Sequence, residues 1–177
     1  MKKKKYFKKI VGESIYLSPI NPNDSEKYTK WLNNANITRF LSVHNQMVSL
    51  FGEREYLEKA SKEDAHFAIV NLSNDELVGS IAFDKIDYKN GCAELGIFIG
   101  EEDNLSKGYG SEAIKLLLDF GFNQLRLHSV MLTVLSDNQR AINCYTKCGF
   151  REFGRRQESI YCDGKYIDLI YMEIINK

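Results

Sequence analysis

The sequence predicts a single α/β domain on a mixed, mostly antiparallel sheet, and three observations carry that expectation. Three β-rich runs, 67–72, 77–86 and 92–99, follow one another across turn-forming clusters. A long helical pattern over 108–124 separates the run 92–99 from another at 130–135, so these two strands should be a parallel pair. The chain closes on runs at 150–162 and 165–174 joined by Asp163-Gly164, a strong hairpin signal.

The remaining elements follow in order. Residues 14–18 alternate apolar and polar like a short strand, which Pro19 and Pro22 end. Asn23 and Glu26 have capping-box spacing, and Tyr28, Trp31 and Leu32 recur at helical intervals behind them. A second helix is expected over 49–60, with Leu57 and Ala60 on one face. Ser73-Asn74-Asp75 and Lys89-Asn90-Gly91 supply the turns between the three β runs. In the long helix, Ala113, Leu117 and Phe120 mark the buried stripe. A short helix over 137–147 is closed by Gly149, where a left-handed cap residue belongs.

The 177 residues contain no internal repeat and no linker, so residues 1–177 are read as one domain. Lysine plus arginine equals aspartate plus glutamate at 24 each, so no overall field steers the protein to nucleic acid or to an anionic membrane. Lys2 to Lys5 with Lys8 and Lys9 make a local basic run, expected as a solvated tail over 1–13 that leads into the first strand. The absence of an apolar run of signal-peptide or membrane-span length implies a cytoplasmic location. Cys92, Cys144, Cys148 and Cys162 show no C-x-x-C spacing, and no metal site is expected.

Three features could carry chemistry. Leu105-Ser106-Lys107-Gly108-Tyr109-Gly110 lies between a strand and the long helix, where glycines admit a ligand to the backbone and the first-turn N–H groups point outward. This is the composition of a diphosphate cradle or of a plain tight turn. Gly108-x-Gly110-x-x-Ala113 also fits a loose dinucleotide fingerprint, but residues 100–107 separate it from its strand. Asn138 and Tyr145 are seven apart and share one helix face with Ala141 between them, which also fits a capping Asn and a half-buried Tyr. Glu94 interrupts an apolar strand and is either on the solvent face or held in a pocket. His44, His66 and His128 stand near no nucleophile elbow, which gives a hydrolytic triad little support.

Together these segments resemble the GCN5-related N-acetyltransferase (GNAT) superfamily, in which R/Q-x-x-G-x-G/A opens the helix that binds the pyrophosphate of coenzyme A. Leu105 stands in place of the Arg or Gln, while both glycines match. Asn138-x-x-Ala141-x-x-x-Tyr145-x-Lys147-x-Gly149-Phe150 is close to the family's second signature. Ile15 to Pro19, Trp31-Leu32, and Asp163 to Asp168 with Met172 are similar to the branch of ribosomal-protein N-terminal acetyltransferases (RimJ/RimL-like) and polyamine acetyltransferases.

The resemblance implies the GNAT fold, with helices on both faces of the sheet and a parallel strand pair splayed around acetyl-CoA, the co-substrate. Ser106, Lys107, Gly108, Tyr109, Gly110 and Ser111 would hold the pyrophosphate, and Asn138 and Arg140 would serve the same coenzyme. Ile97, Phe98 and Ile99 would pair with the pantetheine arm, with backbone N–H groups around Phe98 polarising the thioester carbonyl. Glu94 would take the amine proton, with Asp84 and Asp87 in reserve, and Tyr145 would return a proton to the departing thiolate. The implied acceptor is a primary amine, first a peptide or protein N-terminus. Alternatives are a polyamine, an aminoglycoside or an amino sugar on the same fold, or a catalytically silent coenzyme-binding module. Trp31, Phe40, Tyr56, Tyr161 and Tyr166 would flank its entrance. A monomer or homodimer is expected.

Overall fold

A computed structural model describes residues 5–176; Lys2, Lys3 and Lys4 of the basic run lie outside the described residues. Two compact units make up the chain, Met1–Ala82 with Ile97–Leu116 and Phe83–Gly96 with Leu117–Lys177. The division cuts through two strands and one helix rather than through a linker.

The first unit starts earlier than the sequence suggests. Strand β1 (Ile10–Val11) pairs antiparallel with β2 (Ile15–Pro19). The Phe7 N–H donates to Ser18 Oγ at 3.1 Å and the Lys9 N–H to Leu17 O at 3.0 Å. Tyr6 is buried and donates its phenol proton to Asp24 Oδ2 at 3.0 Å. The expected tail is therefore structured from Tyr6 onward, because it covers the free backbone groups along one edge of β2. β2 pairs with β3 (His66–Asn71), and β3 with β4 (Leu77–Asp87), both antiparallel.

Helix α1 (Ser25–Leu32) lacks the expected capping box. Pro22 opens a short 3₁₀ turn capped by Asn21, whose side chain accepts from the Asn23 N–H. Asp24 is turned inward to Tyr6 and Lys5. The four-residue helix α2 (Ala35–Thr38), capped by Asn34, is too short to give a periodic signal in the sequence. α3 (Leu50–Ala60) begins where Ser49 Oγ accepts the Gly52 N–H at 3.0 Å. Tyr28, Trp31, Leu57, Ala60, Ala68 and Val70 form the core of this unit.

In the second unit β5 (Cys92–Ile99) runs parallel to β6 (Ser129–Leu135), in register from Cys92↔Ser129 to Glu94↔Met131. β6 pairs antiparallel with β8 (Lys165–Ile175) over its whole length, and β8 with β7 (Arg151–Cys162). Asp163 and Gly164 both have positive φ, 51° and 81°, as a two-residue hairpin turn requires. The strand order is β1-β2-β3-β4-β5-β6-β8-β7, with β5 and β6 the parallel pair. This is the mixed, mostly antiparallel sheet expected from the sequence.

α4 (Tyr109–Asn123) and α5 (Gln139–Lys147) follow the predicted segments. Gly121, in the body of α4, leaves room for Phe83: a Cβ there would lie 2.5 Å from the ring. Among the described residues no helix is long and apolar enough to cross a membrane.

Candidate active site

In the first unit, the loop before α4 keeps its backbone open. Ser106 and Gly108 have φ of 61° and 86°. The Glu112 N–H donates to Gly108 O at 3.0 Å. Gly108 is thus the N-cap, and the N–H groups of Tyr109 and Gly110 stand ahead of the helical ladder. A Cβ at Gly108 or Gly110 would meet no protein atom within 4 Å. The space over these two glycines is open, and first-turn amides at a helix N-terminus suit an anion. The coenzyme's diphosphate therefore fits the residues present. Ser106 and Lys107 are exposed, and Ser111 borders an open depression of 410 Å³ shared with Gly108, Glu112 and Lys115.

Tyr109 is tied back by its side chain, since its Oη accepts from Asn71 Nδ2 at 3.0 Å. Glu112 holds a position that the sequence reading did not single out. Its Oε1 accepts the N–H groups of Glu13 at 2.6 Å and Ser14 at 2.9 Å, which pins the start of α4 to the β1–β2 turn. An acidic residue in the first turn of a helix was the available signal.

Ile97, Phe98 and Ile99 are half-buried at the end of β5. The Phe98 ring stands edge-on to Tyr28 at 5.9 Å and to Trp31 at 6.0 Å, and its carbonyl closes on Gly79, where a Cβ would collide. Trp31, expected at an acceptor entrance, is instead a core residue. It is 1% exposed, and its Nε1 donates to Glu101 Oε1 at 2.8 Å. Tyr56, Tyr161 and Tyr166 are exposed, and Phe40 is half-buried under Arg39.

In the second unit Glu94 is neither on an open face nor sealed in a pocket. Its side chain is 27% exposed and Oε2 lies 2.6 Å from Lys85 Nζ. The carboxylate bond, then its charge, pushes the Lys85 ammonium pKa up. Asp84 lies on the same face, because a Cβ on Gly96, two residues beyond Glu94, would come within 3.2 Å of Asp84 Oδ2. Asp87 is committed to its turn, accepting from the Lys89 and Asn90 N–H groups and from Asn90 Nδ2. Those bonds, led by the Asn90 side chain, hold its carboxyl below the usual range, so it is a poor proton acceptor.

Asn138 is the N-cap of α5, its Oδ1 accepting the Ala141 N–H at 3.2 Å. Tyr145 is half-buried with its ring 6.1 Å from that of Phe150. Among the described residues its hydroxyl has no hydrogen-bond partner. Burial first, then the neighbouring Cys144 and Cys148, pushes the phenol pKa up, so its proton is held firmly in the resting protein. Arg140 is exposed on the same helix. Among the described residues no three His, Cys, Asp or Glu side chains are gathered as metal ligands.

Residues 14–151 match the acetyltransferase (GNAT) domain family, and the chain belongs to it. The probable N-acetyltransferase YjcK of Bacillus subtilis is 26% identical, with 94% of this chain and 97% of that protein covered. The spermidine N(1)-acetyltransferase of Escherichia coli is 28% identical, over 91% of this chain and 86% of that protein. Among solved structures, the spermidine N-acetyltransferase of Vibrio cholerae in complex with CoA and spermine superposes with a TM-score of 0.82 at 26% identity, covering 93% of this chain and 96% of that one. This chain is thus an N-acetyltransferase with acetyl-CoA as its donor.

Proposed function

We propose that the acceptor is a small cationic primary amine of the polyamine class, and that Glu94 receives it. One observation carries this reading: Glu94 already binds a primary ammonium, that of Lys85, at 2.6 Å. Relatives whose acceptor is identified in their names act on spermidine. The reading thereby moves from the peptide α-amine to the polyamine alternative.

When bound, the coenzyme supplies an acetyl thioester as electrophile. The chain's own groups do the rest. An amine with a pKa near 10 is almost wholly protonated at neutral pH, so Glu94 first attracts the ammonium and then takes its proton, directly or through water. Backbone N–H groups around Phe98 polarise the carbonyl, with Ile97 and Ile99 aligning the pantetheine arm. The Tyr145 hydroxyl faces the departing thiolate as its proton donor, and because burial holds that proton firmly the transfer depends on a short, direct approach rather than on driving force. The first-turn amides of α4, with Ser106, Lys107 and Ser111, hold the diphosphate, and Arg140 and Asn138 support the coenzyme from α5.

The test is a side-by-side kcat/KM comparison at saturating acetyl-CoA of spermidine, spermine, short peptides with free N-termini, an aminoglycoside and an amino sugar. Spermidine or spermine is expected to lead. Faster turnover of peptides than of polyamines would sink the proposal and return the acceptor to an N-terminal amine.

A further inference from the structure

We propose that Lys85 is an internal cation occupying the acceptor's place on Glu94, so that acceptor binding exchanges one primary ammonium for another. This rests on the reading of Glu94 as the residue that receives the acceptor.

The local backbone explains how Lys85 reaches that position. Along β4 the buried Ile81 and Phe83 alternate with Ala82 and Asp84, so regular pleating would carry the residue after Asp84 back to the buried face. Lys85 has φ of 49° instead, a conformation that L side chains rarely adopt inside a strand. The irregularity breaks the alternation and leaves the side chain 79% exposed, with Nζ against Glu94.

The surroundings suit a transient occupant. Asp84 lies on the same face as Glu94, and its charge adds to the pull on the Lys85 ammonium. Gly96 contributes no side chain to that face, and Asp84 Oδ2 stands over it, 3.2 Å from where a Cβ would lie, which brings the second carboxylate close to β5. An ion pair with one such exposed partner is weak and quickly exchanged, because water competes for the ammonium. The lysine therefore screens Glu94 until a competing ammonium arrives, and it withdraws to solvent without disturbing the fold. The site then discriminates by exchange: amines too weakly charged to displace Lys85 are refused.

Lys85→Asn removes the charge with a residue that tolerates left-handed backbone, and Lys85→Arg keeps the charge. Each is compared with the parent by steady-state kinetics, with the amine that the panel above ranks first as variable substrate. Calorimetric titration of that amine into protein saturated with coenzyme A gives a readout independent of turnover. If Lys85 holds Glu94 for about four-fifths of the time, Lys85→Asn lowers the acceptor KM and Kd about fivefold. The change is expected on KM rather than on kcat, with Lys85→Arg close to the parent. In a Glu94→Gln background the Lys85→Asn effect should vanish, since the two residues act through one contact. An unchanged Kd in Lys85→Asn overturns the proposal, and so does a gain that persists in the Glu94→Gln background. If peptides rank first in the panel, the polyamine reading fails while the exchange at Glu94 is still decided by the same titration.

Discussion

Glu112 Oε1 accepts the backbone N–H of Glu13 at 2.6 Å, which fastens the first turn of α4 to the β1–β2 turn ninety-nine positions earlier. The neighbouring Ser14 N–H shares the same oxygen. Charge-assisted bonds of this kind are stronger than neutral ones. Glu112→Ala is expected to lower stability by about 1–3 kcal/mol, with Glu112→Gln, which keeps an acceptor oxygen, losing less. Thermal unfolding of both variants checks this. Equal melting temperatures for Glu112→Ala and the parent would show that the contact contributes nothing.

Gly110 separates the fold from ligand binding more cleanly than Gly108. A Cβ at either glycine meets no protein atom, but Gly108 has φ of 86°, so a side chain there is strained whatever the space. Gly110→Val should therefore keep the melting temperature of the free protein within a few degrees and abolish the rise caused by acetyl-CoA, since the new side chain stands where the diphosphate approaches. A full acetyl-CoA shift in Gly110→Val would remove this loop from the binding site.

The sheet was legible in the sequence because its signals are local. β5 begins and ends where the residue pattern places it, and Asp163-Gly164 forms the turn it encodes. The misreadings came where tertiary contacts compete with a local rule. Asn23 and Glu26 have the spacing of a capping box, yet Pro22 begins its own turn and Asp24 is drawn to Tyr6. Lysines at the start suggested a solvated tail, yet Tyr6 is buried. Trp31 is an aromatic at a helix position that could face either way, and contacts distant in sequence, its packing against Phe98 and its bond to Glu101, hold it inside. For the candidate site, the glycine loop and the α5 signature are contiguous and could be read directly. The partner of Glu94 could not, because the left-handed turn of the backbone at Lys85 has no sequence signature when the residue is not glycine or asparagine.

Tyr145→Phe keeps the ring that packs against Phe150 and deletes only the proton. Turnover is expected to fall about 100-fold with coenzyme affinity nearly unchanged, the pattern for an interaction made in the transition state. Pre-steady-state thiol release and equilibrium binding of coenzyme A separate the two quantities. Near-normal turnover would leave Tyr145 with a packing role alone.

Glu53 gives the protein a pH-dependent stability. It lies on the buried face of α3 with Leu57 and Ala60, is 4% exposed, and its Oε1 has no hydrogen-bond partner. Desolvation pushes its carboxyl up to about 7. An unfolded glutamate titrates near 4.3. Between these values the folded state holds a proton that the unfolded state has released, so stability falls as pH rises from about 4.3 through 7 and levels off above it. Glu53→Gln, of the same shape and uncharged, should match the parent near pH 4.5 and exceed it at pH 8 by about 2–3 kcal/mol, the order set by a shift of this size. Urea unfolding at the two pH values measures the difference. If the stability curves of Glu53→Gln and the parent run parallel from pH 4.5 to 8, the carboxyl is already ionised in the folded protein and α3 must admit water or a cation to it.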